Sequence, residues 1–302
     1  IFRLPVQSKN PLLIFINAII LIGIILLNNI SIVHARSRAP AWSCLLASKI
    51  TGRKFVTTFH GTYNFKSSIK KFYNSIMLRS DLVIAGSNFI FSHINENYSK
   101  FLDPKKKFLV IFRGINTDYF DSSTTLESDE DKLLKKWEIN RGKKLILMPG
   151  RLTSWKGQEL FIEAINLVNK ELGHEAFYAV ILGSDQGRKI YKKKLMRLVE
   201  QYRLSNQLRF VDECKKMPAA YKIANLVVSA SIEPEAFGRV SVEAQSMEKP
   251  ISASNIGGSN ETIIDNKTGI LFESGNAESL SKKIIEVLQL DESTLKSMGN
   301  EG

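Results

Sequence analysis

Short apolar runs alternate with longer amphipathic runs along most of the 302-residue chain, and this alternation constrains the fold most. In the first half the strand-like runs are 31–34, 55–59, 82–85 and 108–112, and the helical runs are 42–50, 67–78 and 88–98. A second series runs from Lys143 to a helix at 276–290. Strands and helices at this spacing predict βα units and parallel sheets. We therefore predict an α/β fold with two doubly wound, Rossmann-like domains that face each other across a cleft.

The length favours two domains, which we assign to residues 1–120 and 143–302. The stretch 121–142 between them starts with polar residues that have no strand pattern, so we interpret it as a linker. Its acidic run, 129–131, is typical of solvated charge rather than of a metal site. The chain begins with Ile and ends in SMGNEG just after a helix, so we expect both ends to be cuts through a longer protein.

The composition is that of a globular protein with an anionic partner. Apolar residues make up 44% of the chain and the net charge is +12. The lysine clusters have no interleaved aromatic residues, which argues against nucleic acid as the partner. Neither the two cysteines, Cys44 and Cys214, nor the four histidines have metal-ligand spacing. We therefore predict a cytoplasmic protein with reduced thiols, no metal and no cofactor.

The apolar segment 12–27 raises the question of a membrane. It is shorter than the roughly 20 residues that span a bilayer, and Asn17 and Gly23 interrupt it. Asn10 and Pro11 in front of it are typical of a helix cap followed by proline at the first helical position. We predict a buried or membrane-facing helix, with membrane spanning as the less favoured alternative. The segment lacks the arrangement of a signal peptide.

The stretch 233–243, EPEAFGRVSVE, follows a buried-strand pattern and turns directly into a helix. It holds two carboxylates, Glu235 in the loop and Glu243 in the first turns of the helix. A helix that begins near Phe237 directs free amides and its positive dipole end into the space between them, which suits a phosphate. The carboxylates suit sugar hydroxyls. On this pattern alone, two solvated helix-end glutamates are an equal alternative.

Two further loops fall at predicted strand ends. The segment 150–157, GRLTSWKG, is not a Walker loop, but it carries Arg151 and Lys156 beside a helix start, which suits a diphosphate. Two ordinary surface cations are the alternative. The paired glycines Gly257 and Gly258 form a tight loop that could let the backbone approach a ligand, a weak signal alone.

Taken in order, GRLTSWKG, EPEAFGRVSVEAQS and GGSNETIIDNKTGILF resemble the C-terminal domain of family 4 glycosyltransferases, retaining enzymes of the GT-B architecture. The FHG segment at His60 and the segment VIFRGINTDYF resemble their N-terminal domain and interdomain edge. The similarity extends from about Ser31 onward. It implies transfer of a sugar from a nucleotide-diphosphate sugar, with retention of configuration and without a metal.

The resemblance also implies roles for matching residues. Arg151 and Lys156 would hold the donor diphosphate and stabilise the leaving group. Glu243 would bind the ribose and Glu235 the transferred sugar. The other residues implied at the sugar and phosphate are the backbone amides of Ala236, Phe237 and Gly238, next to the loop of Gly258. His60 would contact the sugar from the first domain, with a structural strand-end histidine as the alternative. The departing phosphate oxygen would take the acceptor proton, so no dedicated base is expected.

The chain departs from the family pattern in three places. The glycine-rich loop after the first strand and the last crossing helix are missing, so the first domain is expected to be incomplete. The segment that usually reads P-N-G-[VI]-D is RGIN here, with Arg113 and Asn116 at the variable positions. We therefore expect this chain by itself to be an incomplete enzyme that does not turn over.

The acceptor is the least determined partner. Arg36 and Arg38 lie in the segment 34–42 at a predicted sheet edge, where they could meet a phosphate or carboxylate of a glycan or lipid. With the basic charge and the apolar helix, this favours a lipid-linked or lipopolysaccharide-type acceptor at the inner face of a membrane.

The alternative functions are those of an epimerase or phosphorylase of similar layout, or of a non-catalytic protein that binds anions. A phosphorylase needs a cofactor lysine signature that the sequence lacks, and an anion-binding protein leaves Glu235 and Glu243 unexplained.

Overall fold

The chain folds into two compact α/β units, Ile1–Arg113 and Gly114–Gly302, in a computed structural model that describes residues 2–6, 8–63 and 67–302. Each unit holds one sheet. Among the described residues, every pair of neighbouring strands in the two sheets is parallel. The predicted α/β class with two parallel sheets is confirmed.

The sheet of the first unit has four strands in sequential order, β1-β2-β3-β4. The strands are β1 (Ile32–Ala35), β2 (Lys54–Phe59), β3 (Leu82–Ala85) and β4 (Lys107–Val110). The helices are α1 (Pro11–Leu27), α2 (Arg38–Thr51), α3 (Ser68–Asn74) and α4 (Asn88–Tyr98), with 3₁₀ turns at Ser75–Leu78 and Ser99–Phe101. Since the strands are parallel, their carboxyl ends lie along one edge, where Arg36, His60 and Arg113 follow strands and His34 is the last residue but one of β1.

Helix α1 forms as predicted and packs against α2. The Asn10 side chain accepts a hydrogen bond from the amide of Leu12, and Pro11 occupies the first turn, where a missing amide costs nothing. Ala18 and Ile25 are buried. The exposed large apolar side chains of the helix are Leu12, Phe15, Ile16, Ile19, Ile20, Leu26 and Leu27. The helix is therefore buried on one side only.

The sheet of the second unit has six strands in the order β10-β9-β8-β5-β6-β7. They are β5 (Lys144–Pro149), β6 (Phe177–Leu182), β7 (Leu208–Val211), β8 (Leu226–Ser229), β9 (Ile251–Ser254) and β10 (Ile270–Phe272). The helices are α5 (Glu127–Trp137), α6 (Gln158–Leu172), α7 (Lys189–Gln201), α8 (Met217–Lys222), α9 (Arg239–Ser246), α10 (Ser259–Thr262), α11 (Ala277–Gln289) and α12 (Glu292–Glu301). The chain runs outward from β5 to β7 and returns to β8 beside β5. The chain therefore changes direction across the sheet between the neighbouring strands β5 and β8. This position is the switch point at which such sheets bind ligands.

Alternate residues of β5 point to two separate cores. Ile146 packs with Phe161 of α6 and Ile284 of α11 in one apolar cluster. Leu145 packs with Tyr221 of α8 in the other. A strand that is covered on both faces must be apolar throughout, and this explains the continuous apolar run that predicted it.

The stretch 121–142 differs from the predicted linker. It contains α5, whose Leu134 and Trp137 are buried in the core of the second unit, and the division between units falls after Arg113 rather than near residue 120. Within the acidic run, Glu130 is buried and pairs with Lys222 at 3.2 Å. The polar composition concealed a narrow apolar stripe, because only one side of an amphipathic helix needs to be apolar.

Candidate active site

The candidate site of the second unit lies at the switch point, where loops follow three neighbouring strands. The loop after β5 contains the 3₁₀ turn Ser154–Lys156 and leads into α6. The loop after β8 leads into α9, and the loop after β9 contains Gly257 and Gly258 and leads into α10. All three arise from the carboxyl ends of parallel strands, so they share one edge of the sheet.

Lys156 and Glu235 form an ion pair across the first two loops. Lys156 Nζ lies 2.6 Å from Glu235 Oε1, and the side chains are only 12% and 13% exposed. The Ser231 hydroxyl donates a 2.5 Å hydrogen bond to the same carboxylate oxygen. Lys156 Nζ also lies 4.7 Å from the centroid of the Trp155 ring. The site thus holds a cation and a carboxylate in fixed positions with little exposure to water.

Arg151 lies in the same loop as Lys156 but extends toward solvent. Its side chain is exposed, while its carbonyl accepts a 2.9 Å hydrogen bond from the Gln158 side chain. The backbone of Arg151 is therefore fixed by the start of α6, and its guanidinium is accessible to a ligand.

Glu243 lies on α9, as predicted, and is buried. Its Oε2 accepts a 2.8 Å hydrogen bond from the Tyr221 hydroxyl, and its Oε1 accepts a 2.7 Å hydrogen bond from Arg239 Nη2. Burial and the neighbouring carboxylate raise the pKa of Tyr221 well above its usual range, so the tyrosine stays a donor. Helix α9 begins at Arg239, two residues after the predicted start, because Gly238 has a left-handed backbone (φ +79°).

Two glycines allow the loops to pack closely. A Cβ on Gly157, whose φ is +74°, would lie 1.8 Å from the Ala230 carbonyl oxygen. A Cβ on Gly258 would lie 2.6 Å from Cα of Phe237. The Gly258 amide also donates to the Glu235 carbonyl at 2.8 Å. The paired glycines thus bring one loop of the protein against another. Phe237 and Gly238 are buried in this contact and Ala236 is half-buried.

The first unit carries a second cluster of predicted residues. Arg36 Nε donates to His60 Nε2 at 3.0 Å, and Arg113 Nη2 contacts Nδ1 of the same ring. Burial, Arg113, Arg36 and His34 lower the pKa of His60 to about 4, so this ring is neutral near pH 7. His60 and Arg36, predicted separately, are therefore direct neighbours. Arg38, also expected at this edge, is the first residue of α2, and its Nη1 donates a 2.9 Å hydrogen bond to Asn74 Oδ1. The remaining candidate residues belong to the second unit.

Sequence patterns missed several residues that support these side chains. Arg239 had a detectable signal, because it precedes Glu243 by four residues on one helix. Ser231 lies four residues before Glu235 at the end of the strand pattern. Tyr221 is 22 positions from Glu243, so no local pattern joins the pair. Arg113 is noted in the sequence as a departure from the family segment, but its contact with His60, 53 positions away, has no local signal.

The described residues contain neither a metal site nor a membrane-spanning helix. In 2–6, 8–63 and 67–302, no group of three His, Cys, Asp or Glu side chains is arranged to hold a metal ion. Across the same residues, no helix is both long and apolar enough to cross a bilayer, and α1 has 17 residues.

Comparisons with known proteins agree with this architecture. The family model of glycosyl transferases group 1 matches residues 129–302, and that of Glycosyltransferase Family 4 matches residues 2–119. An uncharacterized glycosyltransferase of Methanocaldococcus jannaschii is 27% identical over 285 residues, which are 90% of this chain and 69% of the relative. A second one from this organism is 26% identical over 251 residues, which are 78% of this chain and 59% of that relative.

Solved structures show the same fold. The crystal structure of a glycosyltransferase from Rickettsia africae has a TM-score of 0.87 and 41% identity, over 99% of this chain and 77% of that one. The Anabaena protein HepE in complex with UDP-glucose has a TM-score of 0.81 and 23% identity, over 94% of this chain and 75% of that one. The chain has two α/β units, each with a parallel sheet, and this is the architecture of the GT-B class. The chain belongs to the glycosyl transferases group 1 family.

Proposed function

We propose that the protein transfers a sugar from a nucleotide-diphosphate sugar to a glycan or lipid-linked acceptor, with retention of configuration. The observation that carries this proposal is the pair formed by Lys156 and Glu235 at the switch point. A sugar nucleotide needs cations for its diphosphate and carboxylates for its hydroxyls, and here both lie at one sheet edge. HepE, which has the same fold, was crystallised with UDP-glucose.

In this proposal Lys156 leaves its ion pair with Glu235 and binds the donor diphosphate instead. Lys156 and the accessible Arg151 bind the diphosphate and stabilise the negative charge that develops as the sugar leaves. Glu235, still held by Ser231, binds hydroxyls of the transferred sugar. Glu243, oriented by Tyr221 and Arg239, binds the ribose hydroxyls. Backbone amides of Ala236, Phe237 and Gly238 line the sugar and phosphate.

As the new glycosidic bond forms, the acceptor hydroxyl gives its proton to the departing phosphate oxygen. Both events take place on the same face of the sugar. This scheme requires neither a metal nor a separate general base. His60, which is neutral near pH 7, contacts the sugar as an uncharged ring.

The test is a donor screen on the full-length protein, in which release of nucleoside diphosphate is followed with several sugar nucleotides. Glu235→Ala and Arg151→Ala should each lower kcat/KM by at least about 100-fold, since each removes a contact to charge or hydroxyls in the transition state. Glu233→Ala is the matched control, because this exposed glutamate lies in the same loop. Unchanged release in both site variants would refute the site. Isomerisation of the nucleotide sugar without release would indicate an epimerase, and inhibition by a chelator would exclude the metal-free scheme.

We also propose that the protein acts at the inner face of a membrane, where α1 and the basic first unit meet anionic lipid. Residues 1–113 contain 16 Lys and Arg but three Asp and Glu, and α1 exposes apolar side chains such as Phe15 and Ile19. An apolar helix face beside positive charge suits an anionic bilayer surface.

Flotation with liposomes tests this association. The full chain should float with phosphatidylserine-containing vesicles but not with pure phosphatidylcholine. Binding should fall when salt rises from about 0.1 to about 1 M, which shortens the screening length from about 10 to about 3 Å. Phe15→Ser with Ile19→Ser should reduce flotation, and Ile190→Ser, which alters an 88% exposed side chain of the second unit, should leave it unchanged. Flotation that is insensitive to both salt and the α1 variant would contradict the proposal.

A further inference from the structure

A cavity of about 240 Å³ lies at the amino edge of the first sheet, the edge at which its strands begin. The end of α2 and the residues just before β3 and β4 form its walls, together with the start of β2. The charged residues that line it are Lys49, Arg53, Lys54, Arg79, Asp81 and Lys106. His60 follows β2 at the opposite edge of the sheet, so this cavity is separate from the cluster around His60.

The charge at the cavity is strongly one-sided. Among the described residues that line it, five are cations and Asp81 alone is acidic. Asp81 Oδ2 accepts a 2.8 Å hydrogen bond from the amide of Phe55, which fixes the carboxylate just before β3. The carboxyl-terminal end of α2 adds only about half a negative charge. The cavity therefore keeps an excess of positive charge, which repels itself unless an anion balances it.

Two of the cations are held in place by their own unit. Cζ of Arg79 lies 4.9 Å from the centroid of the Phe72 ring and 5.5 Å from that of the Trp42 ring. Lys106 Nζ donates a 2.7 Å hydrogen bond to the Arg79 carbonyl, which uses one of the three N–H groups of the ammonium. Both side chains are half-buried. Since they are already ordered, a ligand loses little affinity to fixing them.

Two polar atoms of the lining residues have no hydrogen-bond partner within the part of the chain that the structure describes. They are Nε of Arg53 and Oγ of Ser48, and both atoms are buried. Arg53 Nη2 donates to Asn29 Oδ1 at 3.3 Å, so the guanidinium is oriented while its Nε–H group has no acceptor. Buried polar groups are normally paired, and an ion or water in the cavity would supply the missing partner.

We propose that this cavity binds a phosphate group, with the guanidinium groups of Arg53 and Arg79 as its main contacts. Lys49, Lys54 and Lys106 supply the surrounding positive charge. A guanidinium pairs with two phosphate oxygens, whereas an ammonium acts as a compact charge. A phosphate monoester carries a charge of about −1.5 to −2 near pH 7, so it balances five cations better than a carboxylate does. The site rests on contacts within the first unit and does not depend on the proposed transfer reaction.

The test is a titration of the full chain with inorganic phosphate at constant ionic strength, followed by NMR through the Nε–H signal of Arg53. Arg53→Gln assigns this signal, and because it is local, phosphate bound in the second unit does not enter the readout. We expect a saturable shift. Arg79→Gln should weaken phosphate binding by about 10-fold or more, as expected for loss of a charged hydrogen bond. Lys49→Gln, which alters an exposed side chain, should weaken it by about 3-fold.

Vesicles distinguish the two sources of such a phosphate group. If the group belongs to a lipid headgroup, vesicles that contain phosphatidic acid should compete with inorganic phosphate at the Arg53 signal, and pure phosphatidylcholine should not. If the group belongs to a soluble phosphate compound, both kinds of vesicle should leave the phosphate titration unchanged.

Two further variants keep the test independent of folding defects. Asp81→Asn retains an acceptor for the Phe55 amide but removes the negative charge, so it should strengthen phosphate binding several-fold. The matched control is Lys9→Gln, an exposed lysine two residues before α1. Helix α1 is about 25 Å long and ends four residues before β1 begins, so Lys9 lies far from the amino edge and its loss should leave binding unchanged.

If Arg79→Gln fails to fold by circular dichroism, the exposed residues Lys49 and Asp81 decide the test. A shift of the Arg53 signal that never saturates would overturn the proposal. So would a loss of affinity in Lys9→Gln as large as that in Lys49→Gln, or weaker binding in Asp81→Asn.

Discussion

Lys156 Nζ lies 2.6 Å from Glu235 Oε1, and this ion pair joins the loop after β5 to the loop after β8. Both side chains are largely buried, so neither charge is fully compensated by water when its partner is removed. This contact therefore holds the two loops together.

Breaking this pair should destabilise the protein more than replacing it entirely. Lys156→Met or Glu235→Leu alone should each lower the free energy of unfolding by about 2–4 kcal/mol, because each leaves a buried charge unpaired. The double variant should come within about 1 kcal/mol of the parent protein, although it should be inactive. Urea unfolding measures the difference. Lys194→Met is the control, since the Lys194–Glu159 pair is much more exposed and should contribute less than about 1 kcal/mol. Equal losses in single and double variants would contradict this account.

Removal of the Tyr221 hydroxyl should affect donor binding through Glu243. Tyr221→Phe removes a 2.8 Å hydrogen bond to a buried carboxylate, which should cost about 1–2 kcal/mol of stability. Since Glu243 then depends on Arg239 alone, the KM for the sugar nucleotide should rise several-fold with a smaller change in kcat. Steady-state kinetics and thermal unfolding measure the two effects. Tyr202→Phe is the control, because no hydrogen bond of its hydroxyl is found in the described part of the chain. A loss of stability without any change in KM would show that Tyr221 is only structural.

The close contact of the loops after β5 and β8 requires glycine at position 157. Gly157→Ala should cost about 3 kcal/mol or more, because the new methyl group would lie against the Ala230 carbonyl oxygen. Gly52→Ala is a matched control, because Gly52 has a similar left-handed backbone (φ +69°, ψ +17°, against φ +74°, ψ +30° at Gly157) but no atom within 4 Å of the new methyl group, so it should cost only about 1 kcal/mol. Chemical denaturation of the two variants should separate crowding from backbone strain. If the two variants lost similar free energy of unfolding, backbone strain alone would explain the effect at Gly157.

His60 should make the stability of the protein depend on pH in a defined window. Its pKa is about 4 in the folded chain, against an ordinary value of 6.5, because of burial and the charges of Arg113, Arg36 and His34. Between these values the unfolded chain binds more protons, so the free energy of unfolding should fall as pH drops from 6.5 toward 4. His34 and His93 also have lowered pKa values, so the comparison with His60→Gln isolates the contribution of this ring. Parallel stability curves for the parent and His60→Gln across this window would contradict the assignment.

The difference between prediction and structure is greatest where a local pattern hides a tertiary role. The 121–142 stretch was interpreted as a linker because of its charge, yet Trp137 is buried in the second core. The paired glycines were expected to let a ligand approach, yet Gly258 lies against Phe237 of the neighbouring loop. In both cases the surface that covers these residues comes from another part of the chain, which a local pattern does not contain.

Local patterns in the sequence are sufficient to predict the alternation of strands and helices, and with it the set of residues that follow the strands. Those features depend on periodicity and on turn residues, which act over a few positions. Which strand ends become neighbours is set by the packing of the folded chain. Lys156 meets Glu235 across 79 positions because β8 returns to the side of β5, and His60 meets Arg113 because four strands share one edge. Strand order follows from how both faces of each sheet are covered, and this is a property of the packed chain as a whole.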